Sequence, residues 1–300
     1  MKQFVILSGK GGTGKTSVAA AFAHLASLET HSIRTVLADA DVDAANLELV
    51  LAPQILDQHE FWGGKAAIID TDLCGGCGTC EQVCRFDAVQ ESEDVYQVDP
   101  IACDGCAACV YQCPNQAIHM EEQLAGQWFR SMSRYGPMFH AALRPAQENS
   151  GKLVTMVKQQ ARLLAMDEDY ELVLVDGPPG IGCPVISAVS GADLVLIVAE
   201  PTAAGVHDMH RILETTAHFG VRALVCINKA DLYLPGTSEI EGFCREKSID
   251  MIGRVPFDMA VTTSMVQGQP VTASQPEAPA SLALKEVWEK SVKILREDEV

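Results

Sequence analysis

Phe4-Val5-Ile6-Leu7-Ser8-Gly9-Lys10-Gly11-Gly12-Thr13-Gly14-Lys15-Thr16-Ser17 is an apolar run that breaks into a glycine-rich loop and gives way at once to a helical pattern. Phe4 to Ser8 reads as a buried strand, and Thr16 to Leu28 as a helix with Val18, Ala19, Phe22 and Ala26 on one face. Strand, glycine loop and helix in that order form a cradle for phosphate. Backbone amides from Gly9 to Ser17 wrap the oxygens, Lys15 reaches the β and γ oxygens, and Thr16 supplies a hydroxyl for Mg2+.

Further apolar runs at Thr35 to Asp39, Glu171 to Asp176, Asp193 to Glu200 and Ala223 to Lys229 end in polar groups. Together they predict an α/β fold, a mostly parallel sheet flanked by helices with its ligand at the carboxyl ends of the strands. Asp39, Asp41 and Asp43 follow the second strand, where carboxylates can approach a metal or position water. Asp176-Gly177-Pro178-Pro179-Gly180 follows a later one. Asp176 is suited to a water-mediated contact with Mg2+, and Gly180 to presenting its amide to a γ-phosphate, so this loop can sense ATP against ADP.

Eight of the eleven cysteines form two runs, Cys74-x2-Cys77-x2-Cys80-x3-Cys84 and Cys103-x2-Cys106-x2-Cys109-x3-Cys113-Pro114. The runs belong to an internal repeat of 29 residues: Asp70, Cys74, Cys77, Cys80, Cys84, Ala88 and Val89 recur as Asp99, Cys103, Cys106, Cys109, Cys113, Ala117 and Ile118. Short strands are predicted at 67–70, 88–89, 95–98 and 117–120. The spacing resembles that of two-cluster bacterial ferredoxins, in which the fourth cysteine of each run crosses to the other cluster. That resemblance implies two [4Fe-4S] clusters, one held by Cys74, Cys77, Cys80 and Cys113 and the other by Cys84, Cys103, Cys106 and Cys109. Tetrahedral zinc sites also use CxxC pairs and remain an alternative.

With Lys10 preceding Lys15, Asp39-Ala40-Asp41 after the second strand and Asp176-Gly177-Pro178-Pro179-Gly180 after the later one, nearly the whole chain resembles the deviant Walker A P-loop ATPases. That group includes MinD, chromosome-partitioning ATPases, the nitrogenase iron protein and the Mrp/Nbp35 carriers; more narrowly, the chain resembles MinD-type ATPases with an inserted ferredoxin domain. The resemblance implies a homodimer closed by ATP, with Lys10 reaching the partner's phosphates, Asp41 orienting water and Asp39 acting near Mg2+. It also implies adenine recognition by Asn228, Lys229 and the loop Pro256, Phe257 and Asp258, although Asn228 can instead simply cap its strand. Cys183 stands seven residues beyond Asp176, as a cluster ligand does in the nitrogenase iron protein. No second cysteine lies between Cys113 and Cys183, so two readings stand: a dimer-interface metal ligand, or an incidental cysteine.

Residues 1–65 and 121–300 are thus expected to make one ATPase domain, interrupted by a ferredoxin-like insert at 66–120. A formal net charge of -18 argues against a broad nucleic-acid surface. No apolar stretch reaches membrane-helix length, and cysteine-rich cluster motifs suit a reducing cytoplasm. The aromatic stretch 127–147 is expected to pack the insert or meet a partner, 150–165 to form a helix, and 268–280 to be a surface linker. The last segment, with Leu284, Val287, Trp288, Val292 and Leu295 near one face, reads as a capping helix or, alternatively, a membrane anchor. The function these features imply is an ATPase coupled to electron delivery or metallocluster assembly on a client metalloprotein or redox partner. The alternative is a nucleotide-controlled positioning protein whose clusters sense redox state or staple the fold.

Overall fold

The computed structural model describes residues 1–28, 32–144 and 150–297. From the amino terminus, β1 (Lys2–Ser8) leads into α1 (Lys15–Ser27), β2 (Thr35–Asp39) and the short α2 (Leu47–Leu51). The chain continues through β3 (Gln54–Ile69), α3 (Thr79–Val83), β4 (Val89–Ser92), β5 (Val95–Val98), α4 (Ala108–Gln112), β6 (Ile118–Ser133) and β7 (Gly136–Leu143). Then come α5 (Ser150–Asp167), β8 (Leu172–Pro179), α6 (Cys183–Val189), β9 (Leu194–Ala199), α7 (Ala203–His218), β10 (Arg222–Asn228), α8 (Leu234–Glu246) and β11 (Asp250–Val255). The final helices are α9 (Met259–Val266), α10 (Val271–Ser274) and α11 (Pro279–Glu297).

Nine strands form one sheet in the order β11-β10-β9-β1-β8-β2-β7-β6-β3. From β11 to β7 the pairings are parallel, as the apolar runs predict. The sheet as a whole is mixed, however. Only two residues, Arg134 and Tyr135, separate β6 from β7, a link that can join antiparallel strands but is far too short for a parallel crossover. β1 lies between β8 and β9, so the glycine loop emerges at the middle of the parallel array. Register sets Asp39 opposite Asp176 on neighbouring strands, which joins two carboxylates that lie far apart in sequence.

The chain divides into two compact units. The first comprises Met1–His59, Trp128–Ala142 and Ser150 onward. In it Phe4 and Ile6 of β1 pack with Phe22 of α1 and Trp288 of α11, while Val5 and Leu7, pointing the other way along the strand, are equally buried. Gly177 is required where β8 meets β1: a Cβ there would stand 2.5 Å from Leu7 Cδ2 and 2.9 Å from Ile6 O. All five apolar residues expected on the last helix are buried, and the Trp288 ring centroid lies 5.1 Å from that of Phe22. The capping reading of α11 therefore holds, and its apolar face is occupied by core. The expected linker 268–280 is corrected: α10 sits within it, with Val271 in the core and Thr272 Oγ1 3.0 Å from His24 Nδ1. Of the aromatic stretch, Trp128 stacks on His59 at 4.1 Å and Phe139 is buried; residues 145–147 lie outside the described part.

The second unit comprises Glu60–Gln127 with Leu143 and Arg144. Its halves obey the 29-residue period at the level of individual hydrogen bonds. Cys74 N donates to Asp70 O at 3.0 Å and Cys103 N to Asp99 O at 3.0 Å. The halves also exchange bonds reciprocally: Asp70 N donates to Ala117 O at 2.8 Å, and Asp99 N to Ala88 O at 2.7 Å. Short helices α3 and α4 occupy equivalent places, and β4 and β5 form an antiparallel hairpin with Glu93 and Asp94 both at positive φ. The predicted strands at 67–70 and 117–120 prove to be the end of β3 and the start of β6, each 16 residues long. Its apolar core is small, with Ala67, Cys80, Val89, Tyr96, Cys109 and Ile118 buried at its centre.

Candidate nucleotide site and cysteine cavities

A cavity of about 810 Å3 opens at the carboxyl ends of the parallel strands. The glycine loop from Gly11 to Ser17 forms one wall, and Asn228, Lys229, Pro256, Phe257 and Asp258 form another. Five residues chosen from sequence for base recognition thus stand beside the phosphate cradle. Gly14 caps α1 in the left-handed conformation at φ 94°, and a Cβ there would stand 2.2 Å from Asn228 Nδ2. That amide nitrogen donates to Thr13 O at 2.6 Å, so Asn228 supports the loop from behind.

Lys15, the first residue of α1, is buried and donates to Asp176 Oδ1 at 2.8 Å and to Asp41 Oδ2 at 3.3 Å. Burial alone would lower the Lys15 pKa, but the charges of Asp176 and Asp41 overcome it and raise the ammonium above its ordinary value. Asp39 is fully buried and accepts from Asp41 N at 3.1 Å and Leu47 N at 3.0 Å, which ties the end of β2 to the start of α2. Complete burial, reinforced by Asp176, pushes its carboxyl well above the usual range. The structure thus brings Lys15, Asp39, Asp41 and Asp176 together, although only Lys15 and Asp41 of the four line the cavity. Asp176 Oδ2 is buried with no hydrogen-bond partner among the described residues.

Besides Asp39 and Asp176, three expected residues stand elsewhere than on the cavity wall. The Gly180 amide donates to Ser8 O at 2.9 Å and is engaged rather than presented to a ligand. Gly9 faces α7, where a Cβ would stand 2.0 Å from Asp208 Cβ. Lys10 pairs within its own chain, with Nζ 2.6 Å from Glu200 Oε2. Sequence reasoning missed Glu200 as a site residue, although it stands at the predicted end of β9; it also missed Met265, whose sulfur accepts from Ser17 Oγ at 3.0 Å. No sequence signal identifies Met265, since α9 follows the base-side loop without a motif.

In the second unit, one small cavity is lined by Cys74, Cys77, Cys80 and Cys113, and another by Cys84, Cys103, Cys106 and Cys109. None of the eight is joined in a disulfide. Among the described residues, no three Cys, His, Asp or Glu side chains converge closely enough to hold a single metal ion. Cys183 is exposed at the start of α6, whereas burial pushes Cys226 up to about 12 and Cys244 up to about 11, as befits packing residues.

A glycine loop between β1 and α1, a buried lysine on that loop and aspartates at two neighbouring strand ends define a P-loop nucleotide hydrolase. The chain belongs to the CobQ/CobB/MinD/ParA nucleotide-binding family, whose model matches residues 4–271, and it is a P-loop ATPase. Among curated relatives it is 32% identical over 288 residues to the uncharacterized protein MJ0578 of Methanocaldococcus jannaschii, covering 96% of this chain and 95% of that protein. It is 30% identical over 152 residues to the septum site-determining protein MinD of Bacillus subtilis, covering 48% of this chain and 56% of MinD. Among solved structures, the cell-division ATPase MinD of Pyrococcus furiosus superposes with a TM-score of 0.58 at 17% identity, covering 98% of this chain and 99% of that one. No described helix is long and apolar enough to cross a membrane.

Proposed function

We propose that this ATPase is an iron-sulfur protein in which an ATP-switched homodimer acts with two [4Fe-4S] clusters to deliver electrons to, or assemble a metallocluster on, a client metalloprotein or redox partner. The observation that carries the reading is the partition of eight cysteines between two cavities, each with three thiols from one run and the fourth from the other. That partition matches the crossing ligand sets of a two-cluster ferredoxin. A tetrahedral zinc site would instead gather four thiolates on one ion at about 2.3 Å. Thiols spread around a cavity suit a cubane, which takes its ligands at separate corners. On this reading 66–120 is a ferredoxin-like insert in an ATPase domain formed by 1–65 and 121–300.

In the nucleotide site, Lys15 pairs with Asp41 and Asp176. Phosphate binding would draw Lys15 away from both and free Asp176, with Thr16 and Asp39, to hold Mg2+ directly or through water. When bound, that ion would offset the negative charge of the phosphates. Asp41 is then placed to orient the attacking water, and release of the Gly180 amide from Ser8 would report the γ-phosphate. Because Lys15 touches the acidic residues of both strand-end loops, nucleotide occupancy can move the two together. The homodimer, with Lys10 acting across it, follows the family likeness.

The MinD likeness favours a second reading, in which the chain is a positioning ATPase and its clusters sense redox state. Iron and sulfide analysis of anaerobically purified protein tests the cluster assignment. About eight of each per chain are expected. Cys113→Ser should perturb the cluster that also uses Cys74, Cys77 and Cys80, leaving its neighbour's electron paramagnetic resonance signal in place. Loss of the other signal instead would overturn the crossing assignment. ATP-dependent dimerization with cluster potentials unmoved by nucleotide would favour the positioning reading.

A further inference from the structure

The 29-residue period that pairs the two cysteine runs also pairs the walls of their cavities. Every residue lining the first cavity, that of Cys74, Cys77, Cys80 and Cys113, has its counterpart 29 positions away in the lining of the second, with Pro114 the one exception. Differences between the walls are therefore differences at equivalent places. Thr79, Tyr96 and Asn115 of the first cavity correspond to Ala108, Ala67 and Phe86 of the second. Three hydrogen-bond donors are exchanged for two methyl groups and a phenyl ring. Gly75 corresponds to Asp104, which adds a carboxylate to the second wall; it is exposed, so its share is the smaller one.

The donors of the first cavity are held close to its sulfurs and turns. Thr79 begins α3, and its Oγ1 lies 3.4 Å from Cys77 Sγ. Once that sulfur is a thiolate it can only accept, so the hydroxyl becomes the donor. Tyr96, 6% exposed on β5, brings its hydroxyl to 3.1 Å from the place a Cβ would take on Gly78, the left-handed residue that caps α3. Asn115 Nδ2 donates to Leu73 O at 3.4 Å and keeps a second proton. Arg85, which stands where the repeat places Pro114, and Glu81 and Glu91, whose charges reach Tyr96, are exposed and outside both linings, where water and salt screen them.

We infer that the two cluster sites differ in reduction potential in a fixed order: the site of Cys74, Cys77, Cys80 and Cys113 is reduced first, and that of Cys84, Cys103, Cys106 and Cys109 is the stronger reductant. The inference rests on the proposed iron-sulfur reading and adds a direction to it. Reduction adds one negative charge to a site. Donors aimed at the sulfurs stabilise that charge, whereas an apolar wall and a neighbouring carboxylate oppose it. The electrons come from an external low-potential reductant; with both sites filled, the electron of the second leaves first for an oxidised client.

Potentiometric titration of the anaerobic full-length protein with dithionite, followed by electron paramagnetic resonance after iron and sulfide have been counted, tests the order. Native protein should show two separate one-electron steps, with Cys113→Ser altering the signal that appears first and Cys84→Ser the one that appears last. Thr79→Val is isosteric and should lower the first potential alone. The expected change is about three- to tenfold in the reduction equilibrium, the net value of one hydrogen bond, or about 30 to 60 mV at about 59 mV per tenfold for one electron. Tyr96→Phe should act in the same direction, and Ala108→Thr, which supplies the missing hydroxyl at the equivalent place, should raise the second potential. Coincident potentials, a first signal altered by Cys84→Ser, or Thr79→Val moving the second step and not the first would each overturn the order while leaving the iron-sulfur reading intact. Protein without iron or sulfide would overturn that reading itself, and the order with it.

Discussion

Lys15 is the residue on which the nucleotide site turns, because it links the glycine loop to Asp41 and Asp176. Lys15→Ala should weaken nucleotide binding by about tenfold to a hundredfold, the value of a hydrogen bond to a charged group, as read by titration with a fluorescent ATP analogue. Lys158 shows a second use of a buried ammonium. Its Nζ donates to the carbonyls of Ser187, Ala188 and Ser190 at 2.5 to 3.0 Å, closing the carboxyl end of α6. Burial pushes its pKa down to about 8, below the unfolded value, so between pH 8 and 10.5 the unfolded chain holds more protons and this residue's contribution to stability rises with pH. Urea titrations of native protein and Lys158→Met should therefore diverge increasingly across that window; a constant difference would contradict the assignment. At this scale the phosphate loop was legible because its residues are contiguous. Glu200 was not, since its partners Lys10 and Lys229 meet it only through the sheet.

At the level of elements, α11 packs against α1 through Trp288 and Phe22. Trp288 is fully buried, and its Nε1 has no hydrogen-bond partner among the described residues, so its contribution is packing. Trp288→Ala should cost about 3–5 kcal/mol, measured by chemical denaturation of the ATPase unit. The helix was legible from the spacing of its apolar residues. The full reach of β3 was not: its first seven residues are all exposed, so no apolar alternation marks them as strand. The 268–280 segment misled for the opposite reason, as its Pro, Ser and Ala composition conceals Val271 and Thr272, which α1 and α11 bury. Neither the β6–β7 hairpin nor the mixed character of the sheet follows from the parallel-strand pattern around it.

At the scale of the whole molecule, the two units differ in what stabilises them. The ATPase unit has an extended apolar core, whereas the cysteine unit buries a small one and is expected to draw much of its folding free energy from metal. Iron chelation should expose the second unit to limited proteolysis while the first keeps its cooperative thermal transition. The repeat made this division readable from sequence, because a 29-residue period in cysteines fixes both halves at once. The exchanged bonds Asp70 to Ala117 and Asp99 to Ala88 were not readable, since they depend on how the halves meet. On the proposed reading, one chain joins iron-sulfur clusters to a nucleotide switch. Potentiometric titration of the clusters, followed by electron paramagnetic resonance with and without Mg-ATP in native and Lys15→Ala protein, tests it most directly. The account predicts two cluster signals in both proteins and a potential that moves with Mg-ATP in the native chain only. Protein purified without iron or sulfide, or potentials indifferent to nucleotide in the native chain, would contradict it.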